Sequence, residues 1–238
     1  MIKIDSLCKN YGKLKALNNV SFNIKQNQIL GLLGLNGAGK TTLIKILCGL
    51  ESKTSGQVFF NELSIDKDQQ KIKNIINISP QETAIANNLT VKENLMFIAA
   101  LYDIENAHKI TNELIEKFSL KTKENTLAKK LSGGQKRRLS IAMALVSSPK
   151  FLFLDEPTLG LDIKARRILW EIIKSLKTTT TIILTTHYLE EAQSLADEIV
   201  MLANGKVIAS GTQKEIVKFS GEKSFEEAFI SLTGGENE

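Results

Sequence analysis

Three kinds of hydrophobic pattern divide this chain. Near the N-terminus, Ile2 and Ile4, then Val20, Phe22 and Ile24, alternate with polar residues, and Gly56-Gln57-Val58-Phe59-Phe60 resembles them. A period of two means one buried face, so these stretches are expected to form half-buried strands of a small β layer. Short continuous apolar runs are the second kind: 29–33 (ILGLL), 72–79 (IKNIINIS), 151–154 (FLFL) and the β-rich 179–186 (TTTIILTT). Each is too short for a helix of its own and reads as a strand. Helical spacing is the third kind. It appears at Leu43, Ile46, Leu47 and Leu50, and at Leu95, Phe97 and Ile98 behind the capping box Thr90-Val91-Lys92-Glu93. It recurs at Ile110, Leu114, Ile115 and Phe118, over 132–147, around 168–176, and from Tyr188 onward. Residues 82–148 thus read as a helical insertion between strand-bearing segments. Near the end, 199–202 and 207–209 flank Asn204-Gly205 as a hairpin, and the chain past 216 reads as one or two short helices with a polar end.

The junction of the first continuous run with the first helix carries the most specific chemistry. There the chain reads Gly34-Leu35-Asn36-Gly37-Ala38-Gly39-Lys40-Thr41-Thr42. Strand, glycine-rich turn and helix are the setting in which GxxxxGK(S/T) is a phosphate-binding loop. Glycines at 34, 37 and 39 allow successive N–H groups to converge on one concavity, and the helix start adds its positive dipole end. Lys40 is expected to reach β- and γ-phosphates, and the Thr41 hydroxyl to sit on Mg²⁺.

Other junctions are read against this one. The run 151–154 ends in Asp155-Glu156-Pro157, which places two carboxylates at the carboxyl end of a buried strand, where ligands of α/β proteins sit. Asp155 would hold Mg²⁺, usually through water, and Glu156 would orient or deprotonate an attacking water. The run 72–79 stops at Pro80 and presents Gln81, a signal that gains weight only if that end faces the phosphates. His187 closes the run 179–186 and is either a γ-phosphate contact or an ordinary loop residue. Tyr11 is either a plain turn aromatic or a ring that stacks on a base. Ser132 with Gln135 fits a capping box, but Gly133 and Gly134 weaken a first helical turn. Bare glycines make sense there if backbone N–H groups must approach an anion closely. The basic triplet Lys136-Arg137-Arg138 reads as a solvated helix face, and His108 as a surface residue.

Bulk properties narrow the class. A chain of 238 residues suits one large domain, or one domain with a sub-lobe. It has no run of eighteen apolar residues and no apolar leader at its start, so neither a membrane span nor a signal peptide is expected. Two cysteines, Cys8 and Cys48, provide neither a disulfide framework nor metal-ligand spacing, which suits a reducing compartment. The net charge of +5 reads as a lysine-rich surface, and sparse aromatics argue against nucleic acid as a partner.

Side by side, these stretches resemble the ATP-binding cassette (ABC) ATPases, from Tyr11 to about Gly211. GLNGAGKT matches the phosphate loop, SPQ the loop carrying Gln81, LSGGQ the signature, FLFLDEP the magnesium strand, LGLD the loop ending in Asp162, and His187 the switch histidine. QETA, NNLTVKENLMFIAALY, LSGGQKRR, TTHYLEEAQSLADEI and SFEEAFISLTG are similar to the branch that exports drugs, sodium, lipids or peptides. Leu35 and Ile163 depart from it, each standing where proline is frequent.

The resemblance implies an α/β fold with a P-loop NTPase (RecA-like) core, a small antiparallel β layer and the helical subdomain 82–148. Segments 1–81 and 149–215 would form the core, and 216–238 a tail. It implies ATP and Mg²⁺ as ligands, with Thr41, Gln81 and Asp155 on the metal side and Glu156, His187 and Gln81 in catalysis. Nucleotide contacts would come from Tyr11, Gly34, Asn36, Gly37, Ala38, Gly39, Lys40, Thr41, Thr42 and Asp162. It further implies a two-fold dimer sandwiching two ATPs, in which Ser132, Gly133, Gly134 and Gln135 grip the γ-phosphate bound by the opposite chain. A second copy or a paralogue, and a separate integral membrane permease on whose cytoplasmic side the chain docks, are the implied partners. A soluble ABC machine acting on nucleic acid or the ribosome is the rival. It is disfavoured because only about ninety residues, without heptads, separate Lys40 from Ser132, and because the chain carries one cassette. A subunit that binds ATP without hydrolysing it is disfavoured by Glu156 and His187.

Overall fold

The computed structural model describes residues 1–234. The chain opens with a hairpin of β1 (Ile2–Tyr11) and β2 (Leu14–Ile24), followed by β3 (Ile29–Leu33) and helix α1 (Lys40–Leu47). Strands β4 (Ser55–Phe60) and β5 (Leu63–Ser64) lead to α2 (Gln69–Lys73) and β6 (Ile76–Ser79). The apolar run 72–79 is therefore split: Ile72 is buried from a helix, and the strand starts only at Ile76. Three α-helices follow, α3 (Val91–Leu101), α4 (Ala107–Lys117) and α5 (Gly133–Leu145). The second half runs β7 (Phe151–Asp155), α6 (Ile163–Leu176), β8 (Thr181–Thr186), α7 (Leu189–Leu195), β9 (Glu198–Ala203), β10 (Lys206–Gly211), α8 (Gln213–Ser220) and α9 (Phe225–Thr233). No helix among the described residues is long and apolar enough to cross a membrane.

The strands form two sheets. One is antiparallel, in the order β2-β1-β4-β5; the other has the order β10-β9-β3-β8-β7-β6 and is parallel except at β10. β3, β7 and β8 are buried at every position. Such strands need no alternation, which is why they read as continuous apolar runs. Leu152 and Leu154 face a core shared with Phe118, Leu139, Ile141 and Trp170 of the helices. Phe151 and Phe153 face the opposite core, with Ile2, Ile4, Phe60 and Leu43. Phe60 meets Phe151 edge to face, with ring centroids 5.4 Å apart.

Parallel register decides where the functional ends lie. Leu33 pairs with Thr186, Asp155 with Thr185, and Ser79 with Leu154. The chain therefore leaves β3, β6, β7 and β8 along one edge, and the loops after them emerge together.

Helix α5 corrects one expectation. Arg137 is only 4% exposed, in a helix that also buries Leu139, Ser140, Ile141, Ala142, Ala144 and Leu145. Its Nε donates to Pro157 O at 2.9 Å and Nη2 to Asp155 O at 2.8 Å, while Nη1 donates to Pro80 O and, at 3.4 Å, to Gln81 O. Arg138 donates from Nη1 to Phe118 O at 2.9 Å and Ser119 O at 3.3 Å. Arg137 and Arg138 therefore do not belong to a solvated face, because α5 fills the gap between the parallel sheet and its neighbouring helices. Burial pushes the Arg137 guanidinium down to about 10, above neutral pH, so it remains charged.

The segment after Gln81 is pinned by Asn94, 1% exposed on α3. Its Nδ2 donates to the carbonyls of Ala86, Leu89 and Thr90 at 3.1, 3.3 and 2.9 Å, and its Oδ1 accepts from Ala86 N at 2.8 Å. Replacing Asn94 by Leu removes these bonds and leaves Ala86 N without its partner, while the three carbonyls keep main-chain donors. It is expected to cost about 1–3 kcal/mol in urea unfolding. Amide exchange should accelerate over residues 84–90 while β3, β7 and β8 keep their protection; an unchanged pattern would refute this role.

Candidate functional site

The phosphate loop closes between β3 and α1 because two glycines meet special demands. Gly39 has φ +103°, and a Cβ there would lie 2.6 Å from Ala16 O. A Cβ on Gly34 would lie 2.3 Å from Leu202 O. The loop is braced from both sides. Gly205 N, in the turn between β9 and β10, donates to Ala38 O at 3.2 Å, and Asn18 N donates to Gly205 O at 2.8 Å. The Asn-Gly pair is legible as a turn in the sequence; nothing local in it says that the turn supports the phosphate loop.

Around this loop lies a cleft of about 830 Å³. Its walls include Tyr11, Asn36, Gly37, Ala38, Gly39, Lys40, Thr41, Thr42, Gln81, Glu156 and His187, with Leu14, Lys15, Ala16, Leu159, Asn204 and Gly205 added by the fold. Buried Lys40 uses Nζ to donate to Gly34 O at 2.7 Å and Leu35 O at 3.0 Å, which leaves one of its three N–H bonds uncommitted. Burial lowers the pKa of its amine, and the carboxylates of Glu156 and Asp155 act in the opposite direction.

The acidic strand end is tied to β8 and α1. Thr185 Oγ1 donates to Asp155 Oδ1 at 2.6 Å and accepts from Glu156 N at 2.9 Å. Thr41 Oγ1 stands 3.5 Å from the same Asp155 oxygen. Glu156 has φ +45°, a conformation that costs a non-glycine residue on the order of 1–3 kcal/mol and is found at functional sites. Its Oε1 shares a 3.1 Å hydrogen bond with His187 Nδ1. Thr41, Asp155 and Gln81 offer a hydroxyl, one carboxylate and an amide oxygen, and no group of three or more His, Cys, Asp or Glu forms a metal cluster among the described residues. Hard oxygen donors with a single carboxylate fit Mg²⁺, which keeps phosphate and water ligands, better than zinc.

Tyr11 ends β1 at the cleft and is 43% exposed as a residue. Its hydroxyl donates to Glu51 Oε2 at 3.3 Å, and Lys9 Nζ lies 4.7 Å from its ring centroid. Lys9, itself buried, donates to Glu51 Oε1 at 2.8 Å, a bond that holds the Glu51 carboxyl below its ordinary range. Lys9 and Tyr11 stand two apart on a strand, so period two places them on one face. Glu51 comes from a distant segment and has no local signal.

The remaining expected residues lie outside this cleft. Ser132 caps α5: its Oγ accepts from Gln135 N at 3.3 Å, and Gln135 Oε1 accepts from Ser132 N at 2.9 Å. The serine proton and the N–H groups of exposed Gly133 and half-buried Gly134 remain at the helix start. A Cβ on Gly133 would meet open space, but one on Gly134 would lie 2.9 Å from Ala165 Cβ of α6. Packing alone therefore requires a glycine at 134. Asp162 caps α6, its Oδ1 accepting from Ala165 N at 2.8 Å.

Comparison with known proteins identifies the family. The ABC transporter family model matches residues 17–159. The linearmycin resistance ATP-binding protein LnrL of Bacillus subtilis (strain 168) is 38% identical over 219 residues, covering 91% of this chain and 70% of that protein. ATP-binding cassette sub-family A member 17 of Mus musculus is 39% identical over 202 residues, 84% of this chain, which spans only 12% of that relative's length. Among solved structures, an ATP binding subunit of an ABC transporter superposes with a TM-score of 0.87 at 29% identity, covering 98% of this chain and all of the other. An ATP-binding cassette solved as a dimer in a post-hydrolysis state with ADP and Pi gives 0.78 at 27% identity, over 89% of this chain and 98% of the other. By its family match and by these identities, the chain belongs to the ABC transporter family, with the P-loop NTPase fold of its ATP-binding cassettes.

Proposed function

We propose that this chain is an ATP-hydrolysing cassette that works as a dimer and drives a membrane-spanning permease subunit, in the direction of export. The observation that carries the reading is the 3.1 Å contact between Glu156 Oε1 and His187 Nδ1 in the cleft that Lys40 and Thr41 also line. Export draws support from the likeness to LnrL, a resistance ATP-binding protein. Residues 1–81 and 149–215 act as the catalytic core, 82–148 as the helical subdomain, and 216–238 as a tail of which 235–238 lie outside the described residues. The rival reading, a soluble machine on the ribosome or nucleic acid, finds no support in these relatives.

Each side chain has a defined task. The loop N–H groups and the uncommitted N–H of Lys40 bind the β- and γ-phosphates. Thr41, Asp155 and Gln81 would hold magnesium, which would supply positive charge against the triphosphate. The adenine stacks on the open face of Tyr11. Glu156 orients a water and takes its proton as the water oxygen bonds to the γ-phosphorus and the bridging oxygen departs with ADP. His187, anchored through Nδ1, leaves its other ring nitrogen for a γ-phosphate oxygen. The Ser132 hydroxyl and the first N–H groups of α5 serve the nucleotide held by a second cassette, and through the permease the pair sits at the cytoplasmic face of the membrane.

Glu156→Gln is expected to bind ATP, lose roughly a hundredfold or more of its turnover, and accumulate as an ATP-bound dimer. Steady-state hydrolysis and light scattering during size exclusion measure this; full turnover would remove Glu156 as the base. Tyr11→Ala should weaken ATP binding by about 1–3 kcal/mol, the scale of one base–aromatic stack, while Tyr11→Phe should stay close to the parent. Titration with a fluorescent ATP analogue separates them, and equal affinities for Tyr11→Ala and the parent would exclude stacking. Purification of the tagged chain in detergent should bring an integral membrane protein whose presence raises the ATPase rate. Stimulation by ribosomes or nucleic acid instead would favour the rival.

A further inference from the structure

The guanidinium of Arg137 makes its four contacts with main-chain carbonyls that belong to two different loops of the cleft. Asp155 O and Pro157 O lie on either side of Glu156, and Pro80 O and Gln81 O belong to the loop that carries Gln81. We infer that Arg137 is a positioning residue that fixes Glu156 and Gln81 relative to one another from beneath the cleft. The inference rests on the reading of Glu156 and Gln81 as members of the hydrolytic site.

Three features support a positioning role over ordinary core packing. First, the bonds go to carbonyls of the residues on either side of Glu156, whose left-handed φ of +45° has to be held by its surroundings. On the other side, the Thr185 hydroxyl accepts from the Glu156 backbone N–H at 2.9 Å, and the Glu156 carbonyl accepts from Leu159 N at 3.2 Å. Second, the contacts take the carbonyl of Gln81 and leave its side chain on the cleft wall. Third, Arg137 is the residue whose shape suits the task. A planar fork with five N–H donors can serve carbonyls of two segments at once, whereas an ammonium is a point donor on a flexible stem. Arg137 also lies one turn along the helix that Ser132 begins. The turn proposed to serve the neighbouring cassette's nucleotide and the brace under this chain's own carboxylate thus belong to one rigid element.

The test uses Arg137→Met and Arg137→Lys in the full chain, with the parent and Glu156→Gln measured alongside. Met keeps much of the stem's length and removes the fork; Lys keeps the charge and loses the geometry. Single-turnover hydrolysis is expected to fall roughly ten- to a hundredfold in Met, the scale of a displaced reacting group, and by less in Lys. Affinity for ATP in EDTA, read by fluorescent titration, should stay within about twofold of the parent, because the fork touches none of the phosphate loop. Hydrogen exchange should quicken in peptides spanning 80–83 and 155–159 and stay unchanged over 34–42. If Met fails to fold, the Lys variant is read by the same three measurements. Unchanged exchange at 80–83 and 155–159, or ATP affinity falling in step with hydrolysis, overturns the inference. A parent that does not hydrolyse ATP, or a fully active Glu156→Gln, sinks the proposed function instead, and the exchange data still decide whether Arg137 holds these loops.

Discussion

Everything placed at the cleft depends on the register of one parallel sheet. β8 runs between β3 and β7, and its pairing brings Leu33 opposite Thr186 and Asp155 opposite Thr185. A slip of one residue along β7 would turn Leu152 and Leu154 from the helical core to the opposite one and move Asp155 away from Thr41. Burial of both faces makes such a slip costly in either direction. The hydrophobic effect, itself without direction, thereby sets the separation of a lysine, a carboxylate and a histidine drawn from three separate segments of the chain.

What the residues alone disclosed follows from how local each determinant is. The phosphate loop, the capping boxes at Thr90 and Ser132 and the Asn-Gly hairpin are specified within a few neighbouring positions, and their geometry is found where the pattern places it. The strand 151–155 was legible for the same reason, since continuous apolar residues need only be buried from both sides. Ile72 misled because a single buried residue at the end of a short helix looks, in isolation, like the start of the strand that follows.

Arg137 and Glu51 escaped for a different reason. A basic residue in a basic triplet has a solvated face as its ordinary fate, and only the carbonyls that come to meet it, from Pro80 to Pro157, reverse that. Glu51 follows α1 with no motif around it, yet it joins the Lys9 ammonium to the Tyr11 hydroxyl. Long-range polar pairs of this kind leave no periodic trace. They are also where a buried charge must be fully satisfied, because an unmatched one costs far more than a surface pair contributes.

The contact between Gly134 and Ala165 has an evolutionary corollary. A larger residue at 134 could be accommodated only by shrinking its neighbour across the helix crossing, and glycine is the sole option smaller than alanine. That exchange would fall in the first turn of α6, whose backbone it would loosen. The two positions are therefore expected to drift together across descendants of this chain or to stand still, and a lone change at either should be rare.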